Sequence, residues 1–166
     1  SLMEDEESLN TFLLISSLPK EKYSTNLVAP DDSSIVNKIK IFNDNSTSKV
    51  KLILIPAVSD GASFFFNLKM FIALFKIMRK AKLDIVHFHS FELASSGIVA
   101  AWLLRVPGRL LTVHGWHEGE KKKYAALQRL ISKMSTNVIC TNRYDLYKGL
   151  RNKWIYSWNS YLVYYG

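Results

Sequence analysis

Four histidines are the residues of this chain best suited to chemistry, and all four follow short apolar segments. His87 and His89 close one such segment, and His114 and His117 follow another. Short apolar runs that alternate with helical patterns are typical of buried parallel strands. Ligands bind beyond the carboxyl ends of such strands. The sequence therefore predicts a site where these two strands end.

Two interpretations of the histidine pair remain open. His87 and His89 point to the same face of a strand, so they could ligate zinc with His114 or His117 as a third ligand. Alternatively, His87 is a hydrogen-bonded core histidine. We favour the second interpretation and expect no metal, because no Asp or Cys stands at ligand spacing and neither H-E-x-x-H nor C-x-x-C occurs. We expect His117 to be a solvated loop residue.

The elements that would position these histidines alternate regularly along the chain. Strands are predicted at 25–29, 50–55, 83–89, 109–114, 137–141 and 161–165. Helices are predicted at 5–18, 63–81, 92–105 and 120–134, and from Asn142, a good N-cap, onward; a strand at 11–16 competes with the first helix. Such alternation predicts an α/β fold, a Rossmann-like doubly wound, mostly parallel sheet with helices on both faces. We expect one domain over 1–166, with the strands at 50–55, 83–89, 109–114 and 137–141 adjacent and buried.

Two segments are less regular. Residues 31–48 are polar, and we expect a short strand around 39–42. The helix at 63–81 is apolar over most of its circumference and carries one stripe of lysines, namely Lys69, Lys76 and Lys80. We expect this helix to pack on the sheet with the stripe outward; a helix lying against lipid is the alternative.

Composition and charge narrow the class of protein. The chain has 166 residues, 48% of them hydrophobic, and a net charge of +8. No apolar run approaches the roughly 18 residues that a membrane span needs. The charge favours anionic partners, but no nucleic-acid-binding motif accompanies the dense run Lys121, Lys122 and Lys123, so we expect no nucleic acid. The single cysteine, Cys140, excludes an internal disulfide, fits a reducing compartment and is expected to be buried.

Several stretches together resemble the N-terminal half of a family 4 glycosyltransferase of the GT-B architecture. The resemblance runs from about residue 20 to the end, over the segments 19–23, 27–30, 82–90, 111–116 and 137–142. The pattern D-x-V-H-x-H-S followed by T-V-H-G is specific only in combination. The family's first strand and its glycine-bearing loop have no match before residue 5.

The resemblance implies an activity. Enzymes of this family use two Rossmann-like domains to transfer a sugar from a nucleotide-diphosphate sugar, with retention and usually without metal or other cofactor. Their N-terminal domain mainly binds the acceptor. The C-terminal, donor-binding domain is absent from this sequence, so we expect the chain alone to be inactive.

The resemblance also implies roles for residues. His114 matches the histidine that lines the reaction centre, and it is the expected catalytic residue. Trp116 would offer a face on which a sugar stacks. The expected substrate-binding residues are His89, Ser90, Gly115, Trp116 and Asn142. We expect Lys121, Lys122 and Lys123 to meet an anionic acceptor or membrane.

The expected acceptor is a glycan or a lipid-linked glycan, in surface polysaccharide or glycolipid synthesis. The expected location is cytoplasmic, peripheral at the inner face of the membrane. A non-catalytic Rossmann-like binding domain is the competing interpretation, since no G-x-G-x-x-G, phosphate-loop or G-x-S-x-G motif occurs.

Overall fold

Helices and strands alternate along the whole described chain of this computed structural model. The structure describes residues 2–19, 21–46, 49–56, 67–116 and 122–164, without the side chains of 2–7, 92 and 122–124. The chain divides into two compact units, Ser1–Asp60 and Gly61–Gly166. One domain over 1–166 stays a prediction.

The first unit pairs two helices with a two-stranded parallel sheet. Its elements are α1 (Leu2–Ser17), β1 (Asn26–Pro30), α2 (Ser34–Asn45) and β2 (Lys51–Ile55). In the register of the sheet, Asn26 lies beside Lys51 and Pro30 beside Ile55. The predicted first helix and the first two strands are confirmed, and the competing strand at 11–16 is wrong.

Helix α2 replaces the strand that we predicted around 39–42, so that prediction is wrong. Ile35, Val36 and Ile39 recur at helical spacing and are 5%, 2% and 0% exposed. Positions three and four residues apart share a face of a helix, whereas on a strand Val36 and Ile39, three residues apart, would point to opposite faces. The Asn43 amide hydrogen-bonds both the N–H and the C=O of Val50 at 2.8 Å, which ties the helix to the start of β2.

The second unit contains a four-stranded parallel sheet in the order β3-β4-β5-β6. Its elements are α3 (Leu68–Ala81), β3 (Ile85–Phe88), α4 (Phe91–Leu103), β4 (Gly108–Val113), α5 (Lys122–Met134), β5 (Asn137–Cys140), α6 (Arg143–Arg151) and β6 (Ser160–Leu162). The predicted Rossmann-like α/β class is confirmed. Of the four strands predicted to be adjacent, those at 83–89, 109–114 and 137–141 are neighbours in this sheet, and strand 50–55 is hydrogen-bonded to β1 in the first unit; its place beside the other three stays a prediction.

Three side chains on one face of the four-stranded sheet are buried. Phe88, Leu111 and Val138 lie side by side in register on it and are 7%, 2% and 0% exposed. Helix α4 packs closely on this face at Gly97, where an added Cβ would overlap the Phe88 ring and lie 3.3 Å from Leu74 Cδ1 of α3. The absence of a side chain at Gly97 is what lets α4 approach β3.

Helix α3 presents its lysines to solvent, as predicted. Its described residues begin at the N-cap Asn67, whose side chain accepts a hydrogen bond from the Met70 N–H at 3.1 Å. Leu74 and Met78 are buried, and α3 packs along α4. The exposed stripe consists of Lys69, Lys76 and Lys80. The predicted start of this helix at 63–66 lies outside the described residues.

Asn159 fastens the end of α5 to the sheet. Its side chain is 1% exposed, and Nδ2 donates to the carbonyl oxygens of Ser132 at 2.8 Å and Ser135 at 3.0 Å. Helix ends leave such carbonyls without intrahelical partners. The backbone oxygen of Asn159 also accepts from the Val138 N–H at 2.7 Å. Through its side chain and its backbone, Asn159 therefore connects α5, β5 and the segment before β6.

Candidate functional site

Three of the four histidines come together at the carboxyl ends of β3 and β4. The ring centroids of His87 and His89 are 4.1 Å apart, and those of His89 and His114 are 5.8 Å apart. The parallel register of β3 and β4 brings their ends to one edge of the sheet. The predicted cluster of His87, His89 and His114 is confirmed. His117 lies outside the described residues.

His87 is anchored to the neighbouring strand. Its Nε2 shares a hydrogen bond of 2.7 Å with Thr112 Oγ1, whose direction follows the tautomer of the ring. Thr112 is 5% exposed, and a buried hydroxyl needs such a partner. The interpretation of His87 as a hydrogen-bonded core histidine is confirmed. Thr112 was missed by the sequence reasoning, although it lies in β4 only two residues before His114.

Burial keeps the paired imidazoles neutral. It lowers the pKa of His87 from 6.5 to about 4, with the nearby His114 adding to the effect. It lowers the pKa of His89 to about 3, with His87 and His114 contributing further. A neutral imidazole offers one donor and one acceptor. This edge of the sheet is thus suited to polar, uncharged groups such as sugar hydroxyls.

His89 has an unused polar atom. Its Nδ1 is buried and has no hydrogen-bond partner in the described part of the chain. Buried polar side-chain atoms are nearly always hydrogen-bonded in folded proteins. A ligand hydroxyl bound beside the histidines could supply the missing partner.

His114 sits between two opposing influences. Burial lowers its pKa, whereas the carboxylate of Asp145 raises it. Burial is the larger of the two, so the pKa of His114 stays below 6.5 and the ring is neutral at pH 7. His114 is the member of the cluster whose pKa the Asp145 carboxylate raises against the effect of burial.

Asp145 is a residue that sequence reasoning did not place in the site. It lies in the first turn of α6, is 3% exposed, and accepts a hydrogen bond of 2.5 Å at Oδ2 from Asn142 Nδ2. Asn142 Oδ1 in turn accepts from the Asp145 N–H at 2.8 Å. The predicted N-cap role of Asn142 is confirmed. Its position three residues before an acid was the signal available in the sequence.

Cys140 ends β5 just before this turn and is fully buried, as predicted. Burial raises the pKa of its thiol to about 12, and the Asp145 carboxylate adds to the effect. The thiolate is the reactive form of cysteine. Cys140 is therefore a structural residue.

Trp116 is buried rather than open to a ligand, which corrects the prediction that its face is available for stacking. It is 9% exposed, and its indole Nε1 donates to the Asp145 carbonyl oxygen at 2.7 Å. Its ring centroid lies 4.9 Å from that of Trp154, and its Cζ2 would meet a Cβ on Gly149. The ring is held between the end of β4 and α6, because an indole buries a large apolar area and needs a partner for its N–H.

The structure describes the remaining predicted site residues to different extents. Gly115 has φ 147°, a conformation that disfavours side chains, so the turn after His114 requires glycine. Ser90 is the N-cap of α4, and its carbonyl oxygen accepts from the Ala94 N–H at 3.0 Å. Lys121 lies outside the described residues. Lys122 and Lys123 begin α5, without described side chains. Their binding roles stay predictions.

No group of three or more His, Cys, Asp or Glu side chains in the described ranges is arranged to hold a metal ion. Whether the reaction uses a metal stays a prediction.

Comparison with known proteins identifies the family. Residues 1–142 match the family model described as glycosyl transferase 4-like. The chain belongs to this glycosyl transferase 4-like family. The resemblance noted from the motifs is thereby confirmed.

A curated relative and a solved structure extend the comparison. The chain is 31% identical over 134 residues to the UDP-Gal:alpha-D-GlcNAc-diphosphoundecaprenol alpha-1,3-galactosyltransferase of Escherichia coli, covering 77% of this chain and 33% of that protein. It superposes on the crystal structure of Acinetobacter baumannii MurG with a TM-score of 0.63 at 13% identity, covering 96% of this chain and 42% of MurG. The similarity to MurG shows that this chain has the Rossmann-like GT-B fold. The chain spans about a third of the length of the curated relative.

Proposed function

We propose that this chain is the acceptor-binding part of a glycosyltransferase that moves a sugar from a nucleotide-diphosphate sugar to a lipid-linked glycan. The observation that carries the proposal is the 31% identity to a galactosyltransferase whose name gives a diphosphoundecaprenol-linked acceptor. Membership of the glycosyl transferase 4-like family agrees with it. A family resemblance alone says little about chemistry, so the proposal also depends on the histidine cluster.

The reaction requires stabilisation of opposite charges. Positive charge develops on the transferred sugar and negative charge on the leaving diphosphate, so positioned polar groups lower the barrier. We assign His114 to the reaction centre, where it hydrogen-bonds the donor sugar or the acceptor. The unused Nδ1 of His89 is available to an acceptor hydroxyl. Ser90, Gly115 and Asn142 complete the proposed substrate-binding set.

The finer features of the proposal come from the family. The transfer proceeds with retention and without metal, and a donor-binding half outside this sequence supplies most contacts to the nucleotide. Residues 1–166 alone therefore have no transferase activity, because nothing then stabilises the leaving diphosphate. A non-catalytic binding domain is the alternative.

The proposed place of action is the cytoplasmic face of a membrane, where Lys121, Lys122 and Lys123 meet anionic lipid or acceptor. In the described ranges, none of the helices has the length and apolar character to cross a membrane. We propose peripheral attachment, through charge and interfacial side chains.

A transfer assay on the whole protein tests the proposal. Purified protein is given GlcNAc-diphosphoundecaprenol and a panel of UDP-sugars, and nucleotide release and glycolipid product are measured. We expect one donor to be consumed, and the anomeric configuration of the product to be that of the donor. His114→Ala should lower kcat about 10²-fold, which is the loss of roughly 3 kcal/mol of transition-state stabilisation. Trp102→Phe, on the exposed side of α4, is the matched control and should keep full activity.

One result would overturn the proposed function, and another would overturn the role of His114. Release of no nucleotide with any donor, by protein that still binds the acceptor, would favour the non-catalytic domain. Unchanged kinetics in His114→Ala would remove His114 from the reaction centre.

A further inference from the structure

We infer that the solvent face of α6 is a membrane-contacting surface that binds anionic lipid headgroups. We call it the tyrosine-arginine face, and it consists of Arg143, Tyr144, Tyr147, Lys148 and Arg151. The inference deepens the proposed function, because a lipid-linked acceptor is reached at a bilayer. It concerns a surface on a different helix from the lysine run at 121–123.

The helical period separates this face from the buried side of α6. Asp145 and Gly149, four residues apart, form the buried side. Tyr144 and Tyr147 are 63% and 68% exposed, although tyrosine is large and partly apolar. Arg143 and Arg151 are exposed beside them. Aromatic and basic side chains therefore alternate across one continuous exposed face.

The charge of this face has one sign. The only acid of α6 is Asp145, which is on the opposite, buried side. Lys148 Nζ lies 5.1 Å from the centroid of the Tyr144 ring, so a cation and an aromatic ring already contact each other there. Just beyond the helix, Lys153 is exposed and Trp158 is 61% exposed. The segment after the helix thus has exposed residues of the same types.

A bilayer surface suits this composition better than a nucleic acid does. Tyrosine and tryptophan place an apolar ring among acyl chains and a polar tip among headgroups. Lysine and arginine keep their charges in water while their apolar stems cover lipid. Each basic residue near an anionic bilayer adds about 1 kcal/mol of attraction, a fivefold gain in affinity. A surface that binds a nucleic-acid strand would instead need a groove that follows the phosphate backbone.

The position of α6 links this surface to the site. Helix α6 begins directly after the carboxyl end of β5, and Asp145 on its buried side acts on His114. A helix with its side chains is about 10 Å wide. A bilayer at the exposed side of α6 would therefore hold a lipid-linked acceptor within reach of the histidines.

Vesicle sedimentation on the whole protein, including any residues that its gene encodes beyond 166, tests this inference. Vesicles of phosphatidylcholine alone are compared with vesicles containing 30% phosphatidylglycerol, at low and high salt. The test variant is Arg143→Gln with Arg151→Gln. Its matched control, Lys69→Gln with Lys76→Gln on α3, removes the same two exposed charges elsewhere. A third variant, Tyr144→Ser with Tyr147→Ser, removes the rings without changing charge.

We expect the wild type to prefer anionic vesicles and the arginine variant to bind them roughly 25-fold more weakly, about fivefold per residue. The α3 control should lose less than threefold. The tyrosine variant should lose the part of the binding that survives high salt, since salt screens charge but not ring insertion. Thermal melts of all variants should match, because every substituted side chain is exposed.

Equal losses in the arginine variant and the α3 control would overturn the inference, since they would show only diffuse charge attraction. Binding to no vesicle at low salt, or vesicle binding unaffected in both α6 variants, would overturn it as well. The proposed function fails separately, by absence of transfer to a detergent-dispersed acceptor. Vesicle binding without transfer would leave the α6 surface standing and refute the glycosyltransferase proposal.

Discussion

Trp116 and Asp145 are joined by a hydrogen bond of 2.7 Å from the indole Nε1 to the backbone carbonyl oxygen, within the core of the second unit. The bond connects the segment after β4 to the first turn of α6. His114 lies two residues before Trp116, and the Asp145 carboxylate raises the pKa of its ring against the larger effect of burial. A buried tryptophan thereby joins the segment that carries the proposed catalytic histidine to the turn that carries Asp145.

Trp116→Phe should lower the free energy of unfolding by about 1–3 kcal/mol. Phenylalanine keeps an aromatic ring but leaves the buried carbonyl of Asp145 without this donor. Urea denaturation measures the change. Trp158→Phe, at a position 61% exposed, is the control and should change stability by less than about 0.5 kcal/mol. Similar losses in the two variants would contradict a structural role specific to Trp116.

Asp145→Asn should lower the pKa of His114. The carboxylate favours the charged imidazole, and the amide removes that attraction while still able to accept from Asn142. NMR titration of the imidazole resonances measures the shift, with His114→Gln used to assign them. Asp84→Asn, at an exposed position, is the matched control. An unchanged or raised pKa of His114 in Asp145→Asn would show that the carboxylate does not act on the ring.

The histidine pair should make the protein less stable in acid. In the unfolded chain His87 and His89 take up protons near pH 6.5, whereas burial holds their folded pKa values at about 4 and about 3. Protonation therefore favours unfolding, and stability falls as the pH drops from 6.5 towards 4. The free energy of unfolding is unaffected by His87 above pH 6.5, and protonation of His87 lowers it by on the order of 3 kcal/mol as the pH falls towards 4.

Urea denaturation between pH 7 and pH 4 checks this dependence. A variant combining His87→Gln and His89→Gln should lose much less stability over that range than the wild type does. The same pH dependence in both proteins would assign acid sensitivity to other groups.

Gly97→Ala should destabilise the protein by about 1–3 kcal/mol, because the new methyl group would overlap the buried Phe88 ring. Phe88→Leu removes the ring edge that causes the overlap. In a double-mutant cycle followed by chemical denaturation, the two changes together should cost less than the sum of the single changes, by about 0.5–3 kcal/mol. Strict additivity would mean that α4 does not depend on this close approach.

The sequence by itself determined the order and type of most elements. Apolar runs and helical periods are local patterns, and they predicted the strands of the second unit, the outward lysine stripe and the burial of Cys140. The cap at Asn142 was also readable, because capping depends on a residue and the three that follow it. The helix over Ser34–Asn45 was readable too: Ile35, Val36 and Ile39 follow the helical period, but the polar surroundings led to a strand prediction.

Only the tertiary structure decided which strands pair and which polar groups share the site. The pairing of β2 with β1, the burial of Trp116 and the placing of Asp145 near His114 all depend on residues far apart in the chain. Trp116 and Asp145 are 29 residues apart, and Asn159 reaches carbonyls 24 and 27 residues away. Local periodicity carries no information on such contacts, because they form only when packing brings separate elements together and burial makes each unpaired polar group costly.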